Sequence, residues 1–195
     1  MEDDDATIMR DMVMTFVFAG KDSTAHSMAW FVVNMNRYPN VLQKIRDEMQ
    51  EKVPGLLDGT IRVPTHQQIH DLVYLEAALK ENIRLYPSTV DAIQQRGGED
   101  ALEYKPERMM DPETGKLRVF SPYVFSAFGS GQHVCIGERF AMMEIKLAMA
   151  TLFSKFDIKT VADPWTLTYE FALTIPVKGP MDVKVTPLTS IAPVN

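Results

Sequence analysis

The stretch from about Ala6 to Met35 constrains the fold more than any other, because it reads as one long helix with apolar residues on nearly every face. Ile8, Met12, Val13, Phe16, Val17, Ala19, Trp30, Phe31 and Val33 leave little polar surface for water. A helix of that kind runs through the middle of a domain. The expectation is a mainly α fold with minor β, built around this element. Thirteen methionines against ten glycines suit helix packing better than sheets. The 195 residues suffice for one domain with a real core, not for two large ones.

Pro39 interrupts the long helix, and Val41 to Lys52 restarts as an amphipathic one with Leu42, Ile45 and Met49 inward. Thr65 with Gln68 three residues later forms a capping-box pattern, so a short helix should follow. Leu72, Leu75, Leu79, Ile83 and Tyr86 give the next helix its stripe, and Pro87 ends it. Ser88 to Pro122 is rich in turn residues and reads as irregular structure. A last long helix should start just after Cys135 and run to about Lys155. Ile136, Phe140, Met143, Leu147 and Ala150 face one side of it, and Met142, Ile145, Met149 and Leu152 another, which predicts burial on both. Asp157 to Thr160, Glu170 to Pro176 and Met181 to Val185 read as short strands.

Several function classes fall away at once. A net charge of −6 argues against nucleic acid as a partner. Glu2-Asp3-Asp4-Asp5 reads as a solvated end. One cysteine forbids an internal disulfide. No run of about 20 apolar residues is present to span a membrane. His66 and His70 could share a helix face as metal ligands, but no third ligand is evident. A thiol hydrolase using Cys135 and His133 would need the histidine to turn toward the sulfur from two residues away, a poor geometry. Gly20-Lys21 is no phosphate loop, since Asp22 follows and the upstream glycine is missing.

The cysteine stands in Phe128-Gly129-Ser130-Gly131-Gln132-His133-Val134-Cys135-Ile136-Gly137. Gly129, Gly131 and Gly137 allow backbone to approach a flat ligand. A helix starting just beyond points its free N–H groups and positive dipole end at the sulfur. That environment favours thiolate, the metal-binding form. The pattern Phe128-x-x-Gly131-x-x-x-Cys135-x-Gly137 resembles the haem-binding signature of the cytochrome P450 superfamily. The resemblance implies haem b (iron protoporphyrin IX) with Cys135 as axial iron ligand and Phe128 packed beside the sulfur. It also implies that His133 meets a haem propionate, where an arginine is common.

Three further segments carry the resemblance, in the family's order. Ala19-Gly20-Lys21-Asp22-Ser23-Thr24 is odd inside an apolar helix, since glycine there costs about 1 kcal/mol against alanine. Read by itself, it is a locally bent helix with polar side chains bonding back to carbonyls. It resembles the distal-helix motif, which implies that Ala19 and Gly20 open onto the cofactor, Asp22 is the acid and Ser23 the alcohol of a proton relay, and Thr24 is the motif's second threonine. Serine replaces the usual threonine at position 23, keeping the hydroxyl but losing the methyl that fixes its rotamer. Glu81 and Arg84, three apart on a helix, can pair. Lys80-Glu81-Asn82-Ile83-Arg84 resembles the family's Glu-x-x-Arg helix, and Tyr104-Lys105-Pro106-Glu107-Arg108 the segment that supplies a third partner. Glu81, Arg84 and Arg108 are then structural.

The resemblance runs from about residue 7 to 188, nearest the fatty-acid omega-hydroxylases. It implies the C-terminal half of the cytochrome P450 fold: distal helix, Glu-x-x-Arg helix, cysteine loop with its helix, and a terminal β-hairpin. Residues 1–195 would be a single partial domain, lacking the N-terminal half and with an internal gap near 88–103. The implied reaction inserts one oxygen atom of O2 into a C–H bond of a small lipophilic substrate, by fatty-acid or alkyl-chain hydroxylation. NADPH would act through a separate cytochrome reductase. The family's place is the endoplasmic reticulum membrane, whereas this chain, without signal or spanning segment, would by itself be cytoplasmic. The competing expectation is an inactive remnant, or an interaction fragment, holding haem weakly or not at all.

Overall fold

The computed structural model describes residues 2–89 and 101–188. Five α-helices carry the architecture: α1 Glu2–Arg37, α2 Pro39–Lys52, α3 His66–His70, α4 Val73–Leu85 and α5 Glu138–Lys155. Strands β1 Phe156–Thr160 and β2 Val183–Pro187 pair antiparallel, Ile158 opposite Val185. They form the expected terminal pair, but residues 161–182 intervene, so no tight turn joins them. The segment Glu170 to Pro176, expected as a strand, forms none. Among the described residues, the isolated bridges Tyr169–Val177 and Thr89–Thr174 are the pairing at that stretch. Residues 90–100, most of the shortened region near 88–103, lie outside the described residues.

Local chemistry explains the helix limits. Pro39 occupies the first turn of α2, where its missing N–H costs nothing. The capping box at α3 is present in both directions, with Gln68 N–H on the Thr65 hydroxyl and Thr65 N–H on the Gln68 side chain. Pro87 follows α4 closely, and Leu85 is its last helical residue. Arg46 of α2 donates to the carbonyls of Phe153 and Phe156, satisfying acceptors where α5 ends.

The core lies where α2, α4 and the C-terminal halves of α1 and α5 converge. Phe31, Met35, Leu42, Ile45, Met49, Leu75, Leu79, Met149 and Phe153 are all buried there, and Phe31 meets Phe153 edge-on at 6.0 Å. Two expectations are corrected. The helix expected to run through the middle is central only in its second half: Phe31 is 0% exposed, but Phe16 is 56% and Phe18 74% exposed. Ile8, Met12, Val13 and Val17 are exposed too. Apolar composition can propose burial, but only a neighbouring element supplies it. In α5 one face is buried, through Met142, Ile145, Met149 and Phe153. Ile136, just before the helix, and Phe140, Met143 and Leu152 on it are exposed.

Arg37, the last residue of α1, fastens the C-terminal chain. It donates to the carbonyls of Pro164 and Leu167 at 2.8 Å and to the Tyr86 hydroxyl. Its guanidinium lies 5.4–5.7 Å from the rings of Trp30, Tyr86 and Trp165. Trp30 stacks on Tyr86 at 4.2 Å and donates its indole N–H to the Ile175 carbonyl.

Candidate functional site

The loop before α5 is shaped by two glycines. Gly129 (φ +81°) and Gly131 (φ +66°) both take left-handed backbone. A Cβ on Gly129 would fall 2.8 Å from the His133 carbonyl oxygen, so no larger residue fits. The loop then folds back, with Cys135 N–H donating to the Phe128 carbonyl at 2.7 Å. A 3-10 turn covers Gly131–His133, and Gly137 caps α5. Cys135 is therefore exposed, just ahead of a helix N-terminus. Gly137 differs from the other two: its φ of −86° suits any residue. A Cβ there would sit 3.7 Å from the Cys135 sulfur, so the glycine leaves that side of the thiol uncovered. Phe128 packs half-buried against the core, whereas His133 is exposed.

On α4, Glu81 and Arg84 form a two-pronged pair, Nε to Oε2 at 2.7 Å and Nη2 to Oε1 at 2.9 Å. Glu81 Oε1 also accepts from Lys105 N–H at 3.1 Å and from Arg108 Nε at 3.3 Å. Arg84 donates onward to the Ala101 carbonyl at 2.9 Å. The three residues expected to act together are together. Beside them Tyr104 is buried and donates its hydroxyl to the Ala78 carbonyl at 2.7 Å. Burial, then the nearby Glu81 charge, pushes its phenol well above the usual value.

On α1, the segment around Gly20 stays in unbroken α-helix. Ser23 bonds back to the Ala19 carbonyl at 2.6 Å, as a hydroxyl within a helix tends to. Asp22 points to solvent and lies 3.8 Å from Lys21, both exposed, a pair worth little. Thr24 is buried. Asp22 and Ser23 are adjacent in sequence, but no hydrogen bond joins them among the described residues. A side chain on Gly20 would meet nothing within 4 Å.

Sequence reasoning missed Ser27, Asn82 and Ser88, which tie the Ser23 turn to α4. Asn82 is buried and donates to the Ser27 carbonyl at 3.1 Å. Its amide oxygen accepts from Asn34 at 2.8 Å. Ser88, just past α4, donates to the Ser23 carbonyl at 3.0 Å and lies 2.7 Å from the Ser27 hydroxyl. One signal was available: an asparagine between Glu81 and Ile83 on a helix with an apolar stripe must find partners if buried. Thus α4 holds the Glu81 lock through one residue and the Ser27 carbonyl of α1 through the next, while Ser88 beyond it holds Ser23.

A mainly helical chain with one small antiparallel pair, an exposed thiol ahead of a helix and a buried Glu–Arg lock defines a recognisable class. The family model for cytochrome P450 matches residues 4–96 and 99–181, and this chain belongs to the cytochrome P450 family. It is 30% identical to cytochrome P450 CYP94D109 of Paris polyphylla, over 91% of this chain and 42% of that relative. It is 29% identical to alkane hydroxylase MAH1 of Arabidopsis thaliana, over 78% of this chain and 35% of the relative. Identity to cytochrome P450 94C1 of the same plant is 29%, over 94% and 43%. The chain thus spans less than half the length of the curated relatives it matches.

Proposed function

We propose that this chain carries the haem-thiolate side of a monooxygenase that places one oxygen atom of O2 into a C–H bond of a fatty-acid or alkyl chain. The carrying observation is the exposed Cys135 sulfur, set ahead of α5 by a loop that two left-handed glycines fold back. The residues fit haem b. The thiol is uncovered, Gly137 adds nothing against it, and a Cβ on Gly131 would meet no atom within 4 Å. Cys135 would ligate the iron as thiolate. Phe128, half-buried beside the loop, would shield that sulfur, and His133, exposed, is free to reach a propionate.

When bound, haem supplies the metal at which dioxygen is activated. The chain's part is protons and positioning. Asp22, facing water, would take up protons, and Ser23 would pass them inward once its hydroxyl turns from the Ala19 carbonyl. Ala19 and Gly20 would leave room beside them. Glu81, Arg84 and Arg108, paired with one another, would hold the scaffold that carries the loop. Electrons would come from NADPH through a separate reductase. The alkyl substrate class rests on the likeness to the alkane hydroxylase.

The exposed apolar residues of the first half of α1 favour a second reading, an interaction fragment without turnover. One experiment separates the two: the full chain is mixed with haem, reduced and treated with CO, beside Cys135→Ala. A thiolate-type Soret band in the wild type that disappears in C135A is the expected result. An unchanged band in C135A removes Cys135 as ligand, and no haem uptake at all supports the second reading.

A further inference from the structure

We propose that Ser88 is a positioning residue for the Ser23 turn of α1, an inference that rests on the proton-relay reading above. In a helix the Ser23 carbonyl accepts from the Ser27 N–H. Here it also accepts the Ser88 hydroxyl at 3.0 Å. A hydroxyl has one hydrogen, and a carbonyl can only accept. Ser88 therefore spends its proton on Ser23, and the 2.7 Å contact between the Ser27 and Ser88 hydroxyls runs from Ser27 as donor. One turn further along the same ridge, the Ser27 carbonyl takes the Asn82 amide at 3.1 Å. Two successive carbonyls are thus each held by a side chain from the α4 end of the molecule.

Ser88 is itself fixed. Its carbonyl accepts Ile175 N–H at 3.0 Å, and the Ile175 carbonyl accepts the Trp30 indole. The hydroxyl that holds Ser23 is thereby anchored to the C-terminal chain and, through Trp30, to the buried part of α1. Ser23 stands near the boundary between the exposed and buried halves of α1, where a helix turn has few neighbours to steady it. A second donor on its carbonyl keeps that turn, and with it the backbone position from which the Ser23 side chain rotates, in place.

The test compares the full chain with Ser88→Ala and Ser88→Thr, the second retaining the hydroxyl. Backbone amide exchange without cofactor reads the contact alone. S88A should speed exchange over residues 24–28 by roughly 5-fold, the size of one lost hydrogen bond, and leave α4 protection unchanged. S88T should stay near wild type. Equal exchange in all three proteins overturns the proposal, as does S88T exchanging as fast as S88A. A second readout separates positioning from plain structure. With haem and reductase present, S88A should send a several-fold larger share of reducing equivalents to hydrogen peroxide, with KM unchanged and the Cys135-dependent spectrum intact. An unchanged share overturns the positioning role. Failure to take up haem sinks the functional reading instead, and the exchange comparison then decides Ser88 by itself.

Discussion

Glu81 is a carboxylate with no exposure, tolerated because four donors converge on it: two from Arg84, one from Arg108 and the Lys105 N–H. Removing such a hub leaves the mostly buried Arg84 guanidinium without its carboxylate. Glu81→Ala should therefore cost about 3–5 kcal/mol, measured by urea unfolding with the slope unchanged. Arg108→Lys should cost far less, because lysine keeps the positive charge at a side chain that is 26% exposed. The pairing of Glu81 with Arg84 was legible from their spacing. Its completion by backbone from residues 101–105 was not, since spacing says nothing of segments distant in sequence. The same limit hid Ser88, an ordinary turn serine until it is seen against α1. Conversely, Gly129 and Gly131 were legible as special, while Gly137 matters for what it leaves bare rather than for its backbone.

At the scale of elements, α4 lacks a local cap and borrows one. Glu48 of α2 accepts the N–H groups of Tyr74 at 2.6 Å and Leu75 at 2.9 Å. Burial pushes the Glu48 carboxyl above its usual value, against those bonds and the Lys146 charge. Folded Glu48 thus holds its proton more tightly than unfolded Glu48, and its contribution to stability falls as pH rises between the two values. Burial also raises Glu76, but Lys146 at 2.9 Å and Lys80 at 3.4 Å overcome it, and the carboxyl ends below its usual value. Its stabilisation is present above the unfolded value and lost as pH falls through the folded one. In urea titrations from about pH 2.5 to 7, Glu48→Gln should make stability climb more steeply with pH above the ordinary carboxylate value, and Glu76→Gln less steeply below it. Either slope unchanged would remove that carboxyl from the balance. Helix starts and stops were readable, because Pro39, Thr65–Gln68 and Pro87 act through their own backbone. A cap lent by another helix leaves no local mark. The strand expected at Glu170 to Pro176 failed similarly, since strands need a pairing partner as well as apolar residues.

For the molecule as a whole, α1 has two regimes. Its second half is core, and its first half presents Ile8, Met12, Phe16 and Phe18 to water. Apolar surface of this extent promotes association. Phe18→Lys should reduce self-association in light scattering coupled to size exclusion, and leave the melting temperature unchanged because Phe18 is 74% exposed. A lowered melting temperature would show that Phe18 has packing partners. The overall helical class was visible in the sequence. Which half of α1 is covered depends on how α2, α4 and α5 assemble, and that is a relation between elements.

Both tryptophans of the chain, Trp30 and Trp165, sit against one guanidinium, that of Arg37. Intrinsic fluorescence is therefore a local gauge of that junction and not of the chain at large. The emission can hold steady while the front of α1 unwinds. A thermal scan followed by emission should then lag one followed by far-ultraviolet dichroism, which sees every helical turn alike.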